Sequence, residues 1–401
     1  MSTLALFDTD IALEWAGLLI RWTHVIAGIC WIGSSFYFMA LDAELKPNAR
    51  LDPRVRGDAW QVHGGGFYHI EKYMVAPEFM PHHLTWFKWE AYSTWIFGFA
   101  LLCVTYFANP TLYLIDPTIA DISPTTAILV GALSLPFGYL IYDLLCRSPL
   151  GHNQTVLAAC GWLLLVGAIY GYTHIFGGQG AYIEVGALVG TIMVANVFAV
   201  IMPGQRKTVA ALLEGKVPDP IYGKQAKQRS AHNNYLTLPV VFIMLSGHYA
   251  ITYMNRWSWV VLSCIFVAGF LVRHWFNVYN SGAKPDWRLW PAAAVPVVIA
   301  LLLSVTGQSQ ALPTFDPKAP VVKFSEVNNI ITERCSVCHV LPNAPRGIVL
   351  ESPEDIVRLA PKIYLQAVVT RAMPLANATG ITDDEREVIR NWVAQGGKKN
   401  D

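Results

Sequence analysis

Residues 179–202, Q-G-A-Y-I-E-V-G-A-L-V-G-T-I-M-V-A-N-V-F-A-V-I-M, contain a single acidic or basic side chain, Glu184. An α-helix of about 20 such residues is long enough to cross the roughly 30 Å hydrocarbon core of a bilayer. Backbone groups in lipid must be hydrogen-bonded internally, so a single segment can cross only as a helix. This stretch predicts a transmembrane helix and sets the class of fold.

Other apolar stretches of similar length surround it. Hydrophobic residues make up 54% of the 401-residue chain and charged residues 14%, against about a quarter charged in a soluble domain. The predicted fold class is therefore all-α, with a polytopic eight-helix transmembrane bundle in a lipid bilayer. The remaining predicted spans lie at about 11–41, 89–108, 124–146, 154–175, 234–254, 257–280 and 289–306.

Basic residues are distributed unevenly between the connections. The connections at about 42–88, 147–153, 203–233 and 281–288 hold many Lys and Arg, whereas those on the other side hold only Arg256. The positive-inside rule places the basic set in the cytoplasm, and an even number of spans leaves both termini outside the cytoplasm. The net charge of +1 gives no indication of nucleic-acid binding. Arg206, Lys207, Lys224, Lys227 and Arg229 are interpreted as topology determinants only.

A second informative pattern is the pentapeptide C-S-V-C-H at residues 335–339. This C-x-x-C-H spacing predicts covalent attachment of one c-type haem to Cys335 and Cys338, with His339 as an axial iron ligand. Met373 could fill the other axial position and raise the reduction potential. A zinc site would need further Cys or His ligands close by, and the sequence after His274 offers no Cys or His besides Cys335, Cys338 and His339.

The composition also divides the chain. Residues 1–307 are predicted to form an integral membrane domain, 308–320 a linker, and 321–401 a soluble domain. About 80 residues, with helices before and after one haem, have the size and order of a small class I-like cytochrome c domain. Because c-type haem is attached outside the cytoplasm, this domain is expected in the periplasm.

Ionisable residues inside the predicted spans are costly to bury, and each is therefore a candidate site. Two interpretations stay open: they link helices through polar contacts, or they bind a cofactor or substrate. His174, His248 and His274 are candidate ligands for an additional b-type haem. Such a carrier is needed if the substrate binds near the cytoplasmic face, and is not needed if it binds near the outer face. The other ionisable residues singled out in these spans are Arg21, His24, Asp143, Glu184 and Arg273.

The first cytoplasmic connection is rich in Gly, His and aromatic residues between positions 60 and 92. Gly64, Gly65 and Gly66 allow close approach of the backbone to a ligand. They do not form a dinucleotide fingerprint, because the spacing is wrong and no strand is expected before them. This segment is either a flexible loop followed by an aromatic belt, or an interfacial segment that lines a cavity for a planar, charged substrate.

Several of these strings together resemble the membrane-bound, cytochrome c-coupled urate oxidase family of bacteria. The resemblance covers nearly the whole chain, and it implies oxidation of urate to 5-hydroxyisourate. Electrons would pass to the fused haem domain and on to the respiratory chain and its terminal cytochrome oxidase, without hydrogen peroxide production. The strings are R-W-T-H (21–24), W-I-G-S-S-F (31–36), H-G-G-G-F-Y (63–68), W-F-K-W-E-A-Y (86–92), H-N-N-Y-L-T-L-P (232–239) and the haem turn with Met373.

The resemblance also suggests roles for particular residues. Urate is a planar monoanion at neutral pH, so Arg21 or Arg273 could bind it through paired hydrogen bonds. His24 and His69 are the candidates for the base that takes its proton. The alternative function is a membrane electron-transfer subunit that relays electrons through haem c to a terminal oxidase and has no small-molecule substrate. A homo-oligomer is left open.

Overall fold

The computed structural model describes residues 9–75, 77, 79, 81, 83–116, 119–306, 319–342, 344–369, 371 and 373–399. Most of the predicted linker at 308–320 therefore lies outside the described residues. In chain order the helices and strands are α1 (Thr9–Glu44), β1 (Val55–His63), β2 (Gly66–Tyr73), α2 (Trp89–Leu102), α3 (Pro110–Tyr113), α4 (Pro124–Arg147), α5 (Gln154–Thr173), α6 (Gly178–Ala195), α7 (Met202–Leu213), α8 (Pro220–Ser246), α9 (Ser258–Asn280), α10 (Leu289–Thr306), α11 (Phe324–Arg334), α12 (Pro353–Ile363) and α13 (Asp383–Ala394).

The chain is a mainly helical membrane protein. Six helical segments of the described part are long and apolar enough to cross a membrane. Two predicted spans are not among them: α2 has 14 residues before a π-helical turn at Cys103–Phe107, and α8 begins with a polar stretch. The predicted number of eight spans is therefore not confirmed. The six segments are Trp15–Glu44, Pro124–Arg147, Gln154–Thr173, Gly178–Leu213, Ser258–Asn280 and Leu289–Thr306.

The expectation of an all-α fold is wrong for the connection between α1 and α2. Strands β1 and β2 pair there as an antiparallel hairpin, with Trp60 opposite His69 and His63 opposite Gly66. Gly64 and Gly65 form the turn with φ values of +60° and +78°. Two consecutive positive φ values suit the tight turn of a two-residue hairpin, and glycine adopts them without steric cost. Gly64 and Gly65 therefore form the turn of a hairpin. Contrary to the expectation from the sequence, a strand, β1, directly precedes them.

The predicted connection at 203–233 is also helical rather than a loop. It contains α7 and the first half of α8, and Asp219 caps α8 by accepting a hydrogen bond from the backbone N–H of Ile221 (2.9 Å). Pro220 then occupies the first helical turn, where its missing N–H costs nothing. Polar composition alone had suggested a loop, but these capping signals favour a helix start.

The two ends of the bundle can be distinguished by the elements they carry. At one end, here called the α3 end, the N–H of Gly177 donates to the carbonyl of Leu114 (2.7 Å), and Tyr182 donates to the carbonyl of Ser258 (2.7 Å). Helices α6 and α9 therefore both begin there. At the opposite end, here called the hairpin end, the Tyr37 hydroxyl near the end of α1 donates to Gln61 of β1 (2.8 Å).

A separate hydrophobic core contains only residues from Val322 onward. Phe324 of α11 packs on Trp392 of α13, with ring centroids 6.1 Å apart. Thr382 and Glu385 form a reciprocal capping box at the start of α13, the arrangement that satisfies two otherwise unpaired N–H groups. The ring contact holds α13 against α11, the helix that ends directly before the C-x-x-C-H turn.

Candidate functional site

A polar cluster lies among α1, α8 and α9 at the hairpin end. The guanidinium of Arg273 stacks on Phe36, with its Cζ 3.7 Å from the ring centroid, and its Nε donates to Asn234 Oδ1 (2.9 Å). Asn277, one turn after Arg273, donates to the same oxygen (2.9 Å). Arg273 is 5% exposed and Asn234 is 0% exposed, so these two side chains are buried, while Phe36 and Asn277 are partly buried. We call these four residues the Arg273 cluster.

Two donors of the Arg273 cluster have no hydrogen-bond partner among the described residues: Arg273 Nη2 and Asn234 Nδ2. A buried donor without an acceptor costs about 1–3 kcal/mol, and native structures rarely tolerate one without a reason. Both atoms are donors, and the planar guanidinium of Arg273 is held flat against the Phe36 ring. The arrangement therefore suits a planar ligand that carries negative charge or carbonyl oxygens.

A second buried network joins α4, α6 and α8. Arg229 donates to Asp143 (2.7 Å), and the Tyr142 hydroxyl lies 2.7 Å from His232 Nδ1. Asn196 donates to both Tyr142 (3.1 Å) and Asn233 (3.0 Å). The interpretation of Arg229 as a topology determinant only is wrong, because this side chain is 3% exposed and ion-paired.

The string H-N-N at 232–234 therefore contributes to both buried networks, since successive residues of α8 point to different neighbours. His232 and Asn233 contact the α4 and α6 side, whereas Asn234 contacts Arg273. Sequence reasoning had used this string only for the resemblance and had assigned it no site role. Three adjacent polar residues at the start of a predicted span could have indicated a buried polar site.

His69, a candidate base, lies in the hairpin. Its Nε2 is 2.9 Å from Asp58 Oδ2, and its ring stacks on Trp60 with centroids 4.3 Å apart. The hydrogen bond from His69 lowers the pKa of Asp58. Because Phe36 and Tyr37 are neighbours in α1, the hairpin is anchored at the same end of the bundle as the Arg273 cluster.

Arg21 and His24 lie elsewhere. They precede Phe36 in α1 by 15 and 12 residues, which is roughly 22 and 18 Å along the helix axis. Arg21 is exposed, while the ring of His24 packs on Gly98 and its Nδ1 lies 2.8 Å from the carbonyl of Thr94. The two candidate arginines therefore lie far apart, and only Arg273 lies at the hairpin end.

The three candidate b-haem ligands do not lie together. Helices α5 and α9 run antiparallel, since Tyr170 contacts Trp259 while Trp162 contacts Phe270. His174 therefore lies at the α3 end and His274 near the hairpin end, where it bonds Tyr235 (2.8 Å). These two cannot ligate one haem. His248, directly after α8, lies at the α3 end with His174.

The geometry of the C-x-x-C-H turn fits a haem. His339 Nδ1 lies 2.9 Å from the carbonyl of Ile348, and donation of that N–H leaves Nε2 as the lone pair for a metal. Cys335 and Cys338 are free thiols. Burial raises the pKa of the Cys335 thiol to about 11, so this thiol is protonated at neutral pH. The donor set thus provides two thiols and one correctly oriented imidazole.

The segment of Met373 is held by a buried cation. Arg386 of α13, which is 4% exposed, donates to the carbonyl of Met373 (3.1 Å), to Asn377 Oδ1 (3.3 Å) and to the carbonyl of Ala367. The N–H of Met373 donates to the carbonyl of Gln366 (2.9 Å). These bonds fix the backbone on both sides of the candidate sixth ligand.

Together, these features define a helical membrane protein with a buried polar cluster between its helices and a cysteine–histidine turn in a separate C-terminal region. The family model of the urate oxidase N-terminal domain matches residues 10–304. The chain therefore belongs to the urate oxidase N-terminal family, which suggests urate-related oxidoreductase chemistry. The match ends before the C-x-x-C-H turn. No curated protein and no solved structure matches the chain.

Proposed function

We propose that this protein oxidises urate to 5-hydroxyisourate in the membrane and passes the electrons to a haem c on its own C-terminal domain, without making hydrogen peroxide. The observation that supports this most directly is the order of features along one chain. A urate oxidase N-terminal match over residues 10–304 is followed by a C-x-x-C-H turn whose His339 has its Nδ1 engaged by Ile348. The membrane-bound, cytochrome c-coupled type combines the same two parts.

The Arg273 cluster is the proposed urate pocket. Urate is planar and anionic, with carbonyl oxygens around both rings, so Arg273 Nη2 and Asn234 Nδ2 would each find an acceptor. The fork of Arg273 is held by Asn234 and by Phe36, so little side-chain freedom is lost on binding. Arg21 is a weaker candidate because its side chain is exposed.

The proposed reaction balances without dioxygen. One urate monoanion and one water give 5-hydroxyisourate, one proton and two electrons. Arg273 stabilises negative charge on the substrate, and a base at the hairpin end accepts the proton. His69 is the proposed base, with Asp58 at 2.9 Å to orient its ring and stabilise its charged form.

Residues of the C-terminal region would hold the haem. Cys335 and Cys338 would form the thioether bonds, and His339 and Met373 would ligate the iron. A haem with both axial positions filled accepts single electrons and does not bind dioxygen. Arg386 fixes the backbone of Met373, so it would hold this residue in place as an iron ligand.

An additional haem b remains part of the proposal as a carrier. Arg273 follows Ser258, the first residue of α9, by 15 residues, or roughly 22 Å, and this distance favours an intermediate carrier. His174 Nδ1 lies 2.7 Å from the carbonyl of Tyr170, which leaves Nε2 for ligation. His248 is the proposed second ligand. An eight-span topology with both termini in the periplasm completes the proposal.

The test is urate-dependent reduction of the haem in anaerobic membranes. We expect the urate absorbance to fall while the reduced-haem α-band rises, at two haem equivalents per urate and with no hydrogen peroxide formed on readmission of air. A pyridine haemochrome spectrum counts c-type and b-type haem separately. Haem that stays oxidised in the presence of urate, yet is reduced by a donor protein from the same membranes, would instead support the electron-transfer subunit.

A further inference from the structure

The C-terminal region contacts the membrane region at α3. Cα atoms of α3 and of the turn Leu375–Asn377 lie within 8 Å of one another. This turn begins two residues after Met373, so the turn and the candidate iron ligand are within about 7 Å along the chain. The Met373 side of the C-terminal domain is therefore the side that meets the bundle.

Helix α3 is a fixed support rather than a free loop. The N–H of Gly177 donates to Leu114 O (2.7 Å), directly after α3. A Cβ on Gly180 would lie 2.5 Å from the carbonyl oxygen of Tyr113, so α3 packs on the start of α6 as closely as the backbone allows. The ring of Tyr113 also lies 5.4 Å from that of Tyr106. These contacts anchor α3 to the bundle.

The turn that meets α3 is held by a buried cation of the C-terminal region. Arg386 is the side chain that donates to Met373 O and Asn377 Oδ1. One side chain thus joins the turn that meets α3 to the backbone of the candidate iron ligand.

We infer that α3 is the docking platform for the chain's own C-terminal domain, and that electrons enter this domain through the turn Leu375–Asn377. The inference rests on the proposed function for the direction of electron flow, but the contact itself does not. Because the domain is tethered to α10 by a short connection, its effective concentration at α3 is high, and a modest contact is enough to keep it docked.

The test is a cross-link in the full-length protein, and Thr111 of α3 suits it because its side chain is exposed. The variant Thr111→Cys/Leu375→Cys, treated with a short bismaleimide in membranes, is expected to give an intramolecular product with altered gel mobility, with or without urate. The matched control is Val217→Cys/Leu375→Cys, because Val217 lies between α7 and α8 at the hairpin end and is 88% exposed. The single variants and the treated parent report background from native cysteines.

The cross-linked protein is then assayed for haem reduction. We expect a rate within about twofold of the untreated sample, since locking a productive contact should leave the barrier almost unchanged. Two results would overturn the inference: no product above the Val217 control, or a locked protein that is reduced at least about tenfold more slowly. If urate does not reduce the haem of the untreated parent protein, that result would instead contradict the proposed function. The yield of cross-linked product would still test the docking.

Discussion

Arg273 is the residue on which the proposed pocket depends. Its neighbours use only part of its hydrogen-bonding capacity: Nε is bonded to Asn234, while Nη2 has no partner among the described residues. Lysine keeps the charge but lacks the planar fork and cannot stack on Phe36 in the same way. The choice between these two cations therefore tests the geometry of the site separately from its charge.

We expect Arg273→Lys to raise the KM for urate by roughly 10- to 100-fold, equivalent to the loss of one hydrogen bond to a charged group, about 1.5–3 kcal/mol. Steady-state haem reduction against urate concentration measures this. Arg256→Lys is the matched control, because Arg256 also stacks on an aromatic ring, Trp257 (5.0 Å), but is exposed in another connection. Equal KM values for the two variants would exclude the Arg273 cluster as the pocket.

Met373 is expected to tune the haem rather than retain it. Met373→Ala should leave the haem covalently attached, because Cys335 and Cys338 carry the bonds, but should alter the optical spectrum and lower the reduction potential. A haem-stained denaturing gel and a redox titration measure the two effects. Met74→Ala, at a distant exposed methionine, should change neither. A variant with unchanged spectrum and potential would show that another group is the sixth ligand.

At the scale of elements, the hairpin owes part of its stability to the His69–Asp58 pair. The hydrogen bond from His69 lowers the pKa of Asp58 below the unfolded value of about 3.9. A lowered pKa means that the pair contributes stability above the unfolded pKa, and that this contribution is lost as the pH falls through the folded pKa.

His69→Ala removes the main cause of that lowered pKa, so the acid transition of the hairpin should move to higher pH. The signal is the part of the tryptophan fluorescence that Trp60→Phe abolishes, since Trp60 stacks on His69. His63→Ala, at the exposed tip of the same hairpin, serves as the control and should follow the parent curve. If the curve of His69→Ala also coincides with that of the parent, the pair does not stabilise the hairpin.

The seating of α3 on α6 depends on a glycine. Gly180→Ala places a Cβ 2.5 Å from a backbone oxygen, whereas Gly190 in the same helix has nothing within 4 Å. We expect Gly180→Ala to cost about 1–3 kcal/mol through overpacking and to reduce the cross-link between positions 111 and 375. Gly190→Ala should leave both unchanged. Thermal denaturation in detergent measures the stability, and equal midpoints for the two variants would contradict the close packing.

At the scale of the whole molecule, apolar length predicted the helices well because lipid allows a single segment no other structure. Short-range signals were harder to interpret: the segment around Gly64 and Gly65 was interpreted as either a flexible loop or a cavity-lining segment, and neither interpretation included a hairpin. The burial of Arg229 could not be predicted, because its partner Asp143 is 86 residues away in sequence. Arg273 could be chosen from the sequence because an ionisable side chain is costly to bury in a membrane. Its partners Asn234 and Phe36 could be identified only from the packing of α1, α8 and α9, because they are distant in sequence.

The number of crossings can be tested through α8. Helix α6 starts at the α3 end, and Tyr182 near its start donates to Thr252 O (2.8 Å) and Ser258 O (2.7 Å). The chain between α6 and α9 must therefore return along the bundle, and α8 is the helix that makes this return. Helix α8 is not among the six clearly apolar segments because its first half is polar. Arg229 and Asn233 in that half are buried inside the protein and do not face lipid.

We therefore predict that Val217 and Ile251 lie on opposite sides of the membrane. Both side chains are accessible, at 88% and 44% exposure, so Val217→Cys and Ile251→Cys can be labelled with an impermeant maleimide. In intact spheroplasts only Ile251→Cys should react, and Val217→Cys should react after lysis, because the positive-inside rule puts the basic connection in the cytoplasm. The parent measures background from native cysteines. Labelling of both variants from the same side would mean that α8 does not cross and that the bundle has fewer than eight spans.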